Sequence, residues 1–162
     1  MIPIQNIYYM LSYAFQVLNE QGYKSVATEH FENVADLCAA ILIKGLSKQL
    51  KRGLMKDYIP KREPLTALRG KMEISETLKT NSIIKRQVVC SYDEFSENAY
   101  MNRIIKTTML RLMVADVDKS RKKEMKKLLV FLGNVEPLPI YSINWNLRYD
   151  RNNQTYLMLV SI

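Results

Sequence analysis

Apolar residues near the amino terminus recur at steps of three and four, with polar residues between them. This spacing places the apolar side chains on one face of a helix. Pro3 suits the first helical turn, because its missing N–H would have no partner there, and Gly22 suits the helix end. The predicted core-facing residues are Ile4, Ile7, Tyr8, Leu11, Phe15 and Leu18. A membrane-surface helix would carry Lys or Arg along its polar face, and none precedes Lys24.

A second helix is predicted from about Glu29 to Arg52, where the helical spacing returns. Glu29 and Glu32 fall in its first turn and basic residues in its last turn, as the helix dipole favours. Gly53 then suits the helix end. The apolar stripe consists of Phe31, Val34, Leu37, Cys38, Ile41, Leu42 and Leu46.

Extended runs replace the helical spacing in the middle of the chain. Leu54, Tyr58 and Ile59 indicate a first short strand. We expect Pro60 and Pro64 to end it, because proline lacks the N–H that a sheet ladder uses. A second strand is predicted in ALRGKMEI and a third in KRQVVCSYDEF, with a short helix or turn in SETLKTNSI between them.

Helical spacing resumes after Ser96, a residue type that suits a helix N-cap. One helix is predicted from Asn98 to about Val117 and another from about Asp118 to Leu132. The order of helices and strands predicts the α+β class, with helices at both ends packed around a small central β element.

The last segment, TYLMLVSI, has the pattern of the first two turns of a helix. It has no cap and no charged last turn. We therefore expect the chain to continue in the parent gene.

The composition is that of one ordinary globular domain. The chain has 162 residues, of which 48% are hydrophobic and 25% charged. No stretch approaches about 18 consecutive apolar residues, so no membrane span is predicted. Cys38 and Cys90 lack CxxC spacing, which favours free thiols in a reducing cytoplasm.

The net charge of +8 is concentrated in two basic stretches. Residues 44–71 carry nine Lys or Arg against Asp57 and Glu63, a net charge of +7. Residues 119–127, KSRKKEMKK, carry six against Glu124, a net charge of +5. Such stretches attract polyanions, DNA above all, or an acidic protein surface. The second stretch is equally typical of a solvated helix face.

The sequence offers no recognisable catalytic centre. His30 has no Cys or Asp partner at the spacing of a triad or metal site, and no glycine-rich phosphate motif occurs. The nearest match to a metal-dependent nuclease begins at Asp116 or Asp118. It continues with Glu124 and Lys126, a short spacing in a helix whose charges suit solvent. We predict no catalytic and no metal-binding residues in this chain.

Three stretches in one order resemble a known family. They are IPIQNIYYMLSYAF, KRGLMKDYIPKREPLTALRGKMEI and YDEFSENAYMNRIIKTTMLRLM, which span residues 2 to about 113. They are similar to the amino-terminal half of McrC, the non-motor subunit of McrBC-type, 5-methylcytosine-specific restriction systems, whose relatives include LlaJI-type subunits. The matching signature residues are Tyr8, Tyr9, Gly70, Asp93, Asn102 and Arg103.

The resemblance implies a two-part full-length protein. Its amino-terminal part would dock on the hexameric ring of an AAA+ GTPase (McrB), with a β-rich finger in or near the central pore, and stimulate GTP hydrolysis. Its carboxy-terminal part would be a PD-(D/E)xK nuclease that cuts DNA with a divalent metal. We expect this chain to stop before that nuclease. GTP would then belong to the partner and the metal to the missing part, with no cofactor in this chain.

The implied organisation is a single docking domain over residues 1–162. It would comprise a helical pair at 1–53, a basic β finger at 54–95 and a helical part at 96–162. The expected partner-binding residues are Tyr58, Lys61, Arg62, Arg69 and Lys71. The alternative is a DNA-binding module without sequence specificity, whose phosphate contacts would be Lys56, Lys61 and Arg62.

Two signature residues lie near the start of the predicted Asn98–Val117 helix. We expect Asn102 to satisfy backbone groups there. Arg103 would pair with Asp93 or Glu94 and form a structural latch.

Overall fold

The computed structural model describes residues 4–14, 23 and 25–162, and it confirms the α+β class. The helices are α1 (Ile4–Ala14), α2 (Val34–Arg52), α3 (Ile74–Lys79), α4 (Tyr100–Val114), α5 (Lys119–Phe131) and α6 (Gln154–Ser161). The strands are β1 (Asp57–Leu65), β2 (Lys71–Met72) and β3 (Val88–Ser96). Short 3₁₀ turns occur at Val26–Thr28, Ser82–Lys85, Ile140–Ser142 and Arg151–Asn153. No helix within the described ranges is both long and apolar enough to cross a membrane.

The chain forms two compact units. The helical unit comprises Met1–Leu54 and Tyr100–Ile162, and the β unit comprises Met55–Ala99. The bounds of the β unit lie close to those predicted for the β finger, 54–95. The description of the chain as one docking domain stays a prediction.

β3 is the central strand of the β unit. β1 pairs with it antiparallel along its whole length, from Asp57 opposite Ser96 to Leu65 opposite Val88. β2 pairs with the other side of β3, so that both β1 and β2 are edge strands.

β1 runs through both of its prolines, so the prediction that Pro60 and Pro64 end this strand is wrong. An edge strand tolerates a proline whose nitrogen points to the open edge. The two prolines are four residues apart, so their nitrogens point to the same edge. The N–H of Tyr58, which has the same orientation, donates to the side chain of Asp57 and not to β3. This contact identifies the edge as the open one.

The core of the helical unit forms where α2, α4, α5 and α6 pack against one another. Most residues of the stripe predicted for the second helix are buried, whereas Val34 is 47% exposed. The largest core side chains, all almost completely buried, are Leu37, Ile41, Leu46, Ile104, Ile105, Met109, Met125, Leu132, Tyr156 and Met158.

α2 begins at Val34, later than the predicted start at Glu29. The side chain of Asn33 accepts a hydrogen bond from the N–H of Asp36 at 2.9 Å and caps the helix there. The same side chain donates to the carbonyl of Asp116 at 2.7 Å. The start of α2 is therefore set by the cap residue Asn33 and not by the acidic residues Glu29 and Glu32.

α4 begins at Tyr100, two residues after the predicted start. The hydroxyl of Ser96 does accept a hydrogen bond from the N–H of Asn98, but Ser96 is the last residue of β3. The predicted continuation of the first helix through Phe15 to Gly22 lies outside the described residues.

A buried ion pair joins the start of α2 to α5. Arg121 binds Asp36 at 2.6 Å and Glu29 at 3.0 Å. Its guanidinium also lies 4.8 Å from the centroid of the Phe31 ring. Asp36 accepts a further hydrogen bond, at 3.0 Å, from the N–H of Asp118. The Asp36 side chain is only 2% exposed, so these partners replace the water that the carboxylate loses.

Replacing Asp36 with Ala will destabilise the helical unit strongly, because Arg121 and the N–H of Asp118 lose a buried partner. We expect the free energy of unfolding, measured by urea denaturation, to fall by about 3 kcal/mol or more. Glu29→Ala is the matched control, since it removes the more exposed carboxylate from the same arginine and should cost about 1 kcal/mol or less. Equal losses in the two variants would contradict the assigned role of Asp36.

Candidate functional site

The β unit, which contains every predicted contact residue, is nearly neutral. Residues 55–99 carry eight Lys or Arg against seven Asp or Glu. Four of the nine basic residues counted between 44 and 71 belong to α2 instead, namely Lys44, Lys48, Lys51 and Arg52. The prediction that the β element is the basic part of the chain is therefore wrong, because a window along the sequence joined two separate elements.

One face of the sheet carries a chain of polar contacts. Lys61 binds Glu94 at 2.6 Å, and the hydroxyl of Tyr92 donates to Glu63. The guanidinium of Arg69 lies 4.1 Å from the centroid of the Tyr92 ring, within the range of a cation–π contact. Two of the predicted contact residues, Lys61 and Arg69, are thus held by groups of the β unit itself.

The opposite face gathers its charges around Glu73. Arg62 binds Glu73 at 3.3 Å and Glu76 at 2.9 Å, while Lys71 lies 3.6 Å from Glu73. The hydroxyl of Ser91 on β3 donates to the same carboxylate at 2.8 Å. This network ties β1 and the turn before α3 to the central strand.

These contacts shift the pKa values of the groups that make them. The hydrogen bond from Ser91 lowers the pKa of Glu73, and Lys71 and Arg62 lower it further. The hydrogen bond from Lys61 lowers the pKa of Glu94, and the pKa of Lys61 is raised by the same contact. The hydrogen bond to Glu63 raises the pKa of Tyr92.

The residues predicted to contact DNA do not form one surface. Lys61 lies opposite Tyr92 and Arg62 opposite Ser91 in the β1–β3 register, so the two point to opposite faces of the sheet. Lys56 lies outside β1 and is 3.7 Å from Glu97. Each of the three cations has a carboxylate partner, which a phosphate would have to displace.

Exposed apolar side chains are the feature of the β unit that the sequence analysis missed, apart from Tyr58. Tyr58 and Phe95 lie directly opposite each other in the register, with ring centroids 5.0 Å apart. At the other end of the strands, α3 and the following 3₁₀ turn expose several aliphatic residues. The exposed apolar residues of the β unit are Tyr58, Leu68, Met72, Ile74, Leu78, Ile83, Ile84 and Phe95.

The signal for these aliphatic residues was present in SETLKTNSII. Ile74 and Leu78 are one turn apart on α3. Ile83 and Ile84 are adjacent in the short 3₁₀ turn, where two neighbouring side chains cannot both face the core. Ile84 is 81% exposed. Exposed apolar groups at this density are typical of a surface that contacts another protein.

Gly70 closes the turn between β1 and β2 in a conformation that favours glycine, with φ of +68°. A Cβ atom here would press against the carbonyl oxygen of Ser91 and lie 2.7 Å from the Cβ of Tyr92. The signature glycine thus allows the turn to approach β3 closely.

The other signature residues have structural partners. The buried hydroxyl of Tyr8 donates to the carbonyl of Tyr23 at 3.2 Å, while Tyr9 is exposed and its ring makes a T-shaped contact with that of Tyr8. Asn102 is buried and accepts a hydrogen bond from the hydroxyl of Tyr156 at 2.6 Å. This partner is a side chain, and the predicted role of Asn102 with backbone groups stays a prediction.

Arg103 binds Glu136, through the carbonyl at 3.1 Å and the carboxylate at 3.9 Å. The prediction that it pairs with Asp93 or Glu94 is therefore wrong. Asp93 is exposed on β3. Arg103 instead fixes the segment that follows α5.

Groups able to perform chemistry are scattered. The described part of the chain contains no cluster of three or more His, Cys, Asp or Glu that could hold a metal. Asp118 caps α5 by accepting from the N–H of Ser120, and His30 is exposed. Both Cys38, which is half-buried, and Cys90, which is buried, are free thiols.

An apolar cavity of about 350 Å³ lies between α2, α4 and α6. Its lining residues are Val34, Ala35, Cys38, Ile41, Leu42, Thr108, Leu112, Leu159 and Ile162. Burial raises the pKa of the Cys38 thiol, which disfavours the reactive thiolate. The cavity is therefore large enough for a small apolar molecule, but its thiol is not activated as a nucleophile.

Replacing Gly70 with Ala will destabilise the β unit by about 2 kcal/mol or more, because the strained φ and the contact with Ser91 act together. Hydrogen exchange of the β3 amides measures this loss. Gly53→Ala is the control, since Gly53 has φ of +95° but no atom within 4 Å of the added Cβ. Because Gly53 belongs to the helical unit, this variant should leave the exchange of the β3 amides unchanged. Unchanged exchange in Gly70→Ala would contradict the close approach.

Acid will loosen the β unit. Because the pKa of both Glu73 and Glu94 is lowered by folding, their stabilising effect is present above about pH 4.5 and is lost as the pH falls below it. Carboxyl carbon resonances in an NMR titration should show midpoints below 4.5 for both residues. Lys61→Gln should move the Glu94 midpoint up and leave that of Glu73 in place. A midpoint of Glu94 that ignores this substitution would contradict the ion pair.

Known proteins match this chain along almost its whole length. The family described as McrBC 5-methylcytosine restriction system component matches residues 4–162. A type IV methyl-directed restriction enzyme of Escherichia coli strain K12, EcoKMcrBC, is 28% identical over 99% of this chain. The chain spans 47% of that curated relative.

Two solved structures have a similar fold. The Thermococcus gammatolerans McrBC complex contains a chain that matches 98% of this one with a TM-score of 0.65 at 16% identity, over 49% of its own length. A half-complex of McrB AAA+ hexamers with bound McrC from the same organism matches with a TM-score of 0.64 at 15% identity, again over 98% of this chain and 39% of its own. The family match over nearly every residue, joined to the common fold, shows that the chain belongs to the McrBC 5-methylcytosine restriction system component family.

Proposed function

We propose that this chain is the docking part of a restriction subunit, and that its β unit binds a hexameric AAA+ GTPase and stimulates GTP hydrolysis. The family match and the likeness to a chain in an assembly of McrB AAA+ hexamers with bound McrC support this proposal. The observation that carries it is the composition of the β unit surface, with paired charges and exposed apolar side chains.

A protein partner fits that surface better than a nucleic acid does. The exposed Ile74, Leu78, Ile83 and Ile84 gain free energy when a partner covers them, at roughly 25 cal/mol for each Å² of apolar surface. The ion pairs around Glu73 and Glu94 hold β1, β2 and the α3 turn against β3. A unit held in this way loses little conformational freedom on binding.

The alternative, a DNA contact through Lys56, Lys61 and Arg62, is less favoured. Each of these cations already binds a carboxylate at 2.6–3.7 Å. A phosphate would have to break these pairs, and the freed carboxylates would repel it. The near-neutral charge of the β unit also removes the long-range attraction that non-specific DNA binding requires.

The remaining parts of the expected system lie elsewhere. GTP would be bound by the ring partner, and the divalent metal by the nuclease part of the system. The chain would then act through docking in the cytoplasm, where the motor, the nuclease part and DNA meet.

The hydrolysis rate of the cognate AAA+ GTPase, measured with and without this chain and with DNA left out, tests the proposal. We expect a several-fold stimulation. Replacing both Ile83 and Ile84 with Ser should raise the chain concentration needed for half-maximal stimulation about tenfold or more. The reason is that apolar anchors buried on binding dominate the energy of an interface. The matched control replaces Val114 and Val130 with Ser, two apolar residues of the helical unit that are on average more exposed than Ile83 and Ile84.

The control variant should stimulate like the unmodified chain. Circular dichroism must show each variant folded. Absence of stimulation by the folded chain, or equal losses in the two variants, would contradict docking through the β unit.

A further inference from the structure

α5 presents a row of lysines on its solvent side. Its inner side is anchored by Arg121, Met125 and Leu132, which are spaced at four and seven residues. The exposed lysines are Lys119, Lys123, Lys126 and Lys127, with Lys122 half-buried beside them. Lys119, Lys123 and Lys126 are spaced at four and three residues, so they form one line along the helix.

These lysines differ from Lys61, Arg62 and Lys71 on the strands of the β unit in having no anionic partner. Among the residues that the structure describes, no ion pair or hydrogen bond involves the ammonium group of any lysine on α5. Glu124 is the one acidic residue of the helix. The positive charge of α5 therefore faces solvent without neutralisation.

The helix that carries this row is fixed at both ends. Asp118 caps its start by accepting from the N–H of Ser120, and Arg121 is held by Asp36. At its end, the ammonium of Lys106 on α4 donates to the carbonyls of Leu132 at 2.9 Å and Val135 at 2.6 Å. The backbone of α5 thus holds the lysines at fixed positions, although each lysine side chain remains free to move.

A straight row of point charges suits a linear polyanion. From Lys119 to Lys127 the helix rises about 12 Å, at about 1.5 Å per residue. Duplex DNA carries about one negative charge per 1.7 Å of its axis. An acidic protein patch rarely matches that charge density over such a length. The row consists of lysines, which bind phosphates as point charges, and it lacks the Asn and Gln that read adenine edges.

We propose that the lysine row of α5, consisting of Lys119, Lys123, Lys126 and Lys127, binds the phosphate backbone of duplex DNA without sequence specificity. The site lies in the helical unit and does not use the docking residues of the β unit. The DNA contact is therefore independent of the proposed stimulation of a GTPase.

Fluorescence anisotropy with a short labelled duplex of random sequence tests this proposal on the whole chain. We expect binding that weakens steeply with salt. Replacing Lys119, Lys123 and Lys126 with Gln should lower the slope of log K against log salt by about 3 and weaken binding about tenfold or more at low salt. The corresponding triple Arg variant keeps the charges and should bind like the unmodified chain.

The matched control replaces Lys44, Lys51 and Arg52 with Gln, which removes the same charge from exposed positions on α2. Lys51 and Arg52 lie in the last turn of α2, where the helix dipole disfavours phosphate, and Lys44 lies in the middle of the same helix. The control should keep most of the affinity and of the salt slope. An equal loss in the control would show attraction by net charge alone and would overturn the proposal.

Two further outcomes would also overturn it. One is an unmodified chain that does not bind the duplex at low salt. The other is a competition experiment in which polyglutamate displaces the labelled DNA as well as unlabelled duplex of equal total charge does. The row would then bind carboxylates as readily as phosphates. Circular dichroism of the Gln and Arg variants confirms that α5 remains helical.

Discussion

The carboxylate of Asp36 is removed almost completely from water, and the helical unit depends on the way its charge is compensated. The carboxylate binds the guanidinium of Arg121 and accepts a hydrogen bond from the N–H of Asp118. Asn33 caps α2, the helix that carries Asp36. A buried charge is tolerated only with such a full set of partners. The requirement fixes the start of α2 against the start of α5, and it sets the orientation in which α5 exposes its lysines.

The strands of the β unit and helix α5 differ in how their positive charges are paired. In the β unit, Lys61, Arg62 and Lys71 are matched by carboxylates, so apolar groups dominate what a partner would meet. On α5, only Arg121 is matched, and the lysines are left for an external anion. A net charge of +8 could not distinguish these arrangements, because it counts cations without their partners.

The sequence predicted the helices well and the β unit less well, for physical reasons. Helical stripes such as Leu37 to Leu46 depend on local spacing, which the chain displays directly. The passage of β1 through Pro60 and Pro64 depends on which side of the strand is open, which only the sheet order determines. The partners of Lys61 and Arg103 are remote in sequence, so spacing could not identify them. The signature glycine, Gly70, was found by resemblance and explained only by its approach to β3.

The open edge of β1 has a further consequence for recognition. Of its outward backbone nitrogens, Pro60 and Pro64 have no hydrogen, and the N–H of Tyr58 is occupied by Asp57. Only Arg62 retains a donor on that edge, which is too little to template an added strand. β-augmentation and amyloid-like stacking are thereby blocked at this edge. Any protein that approaches the β unit from this side has to recognise its side chains.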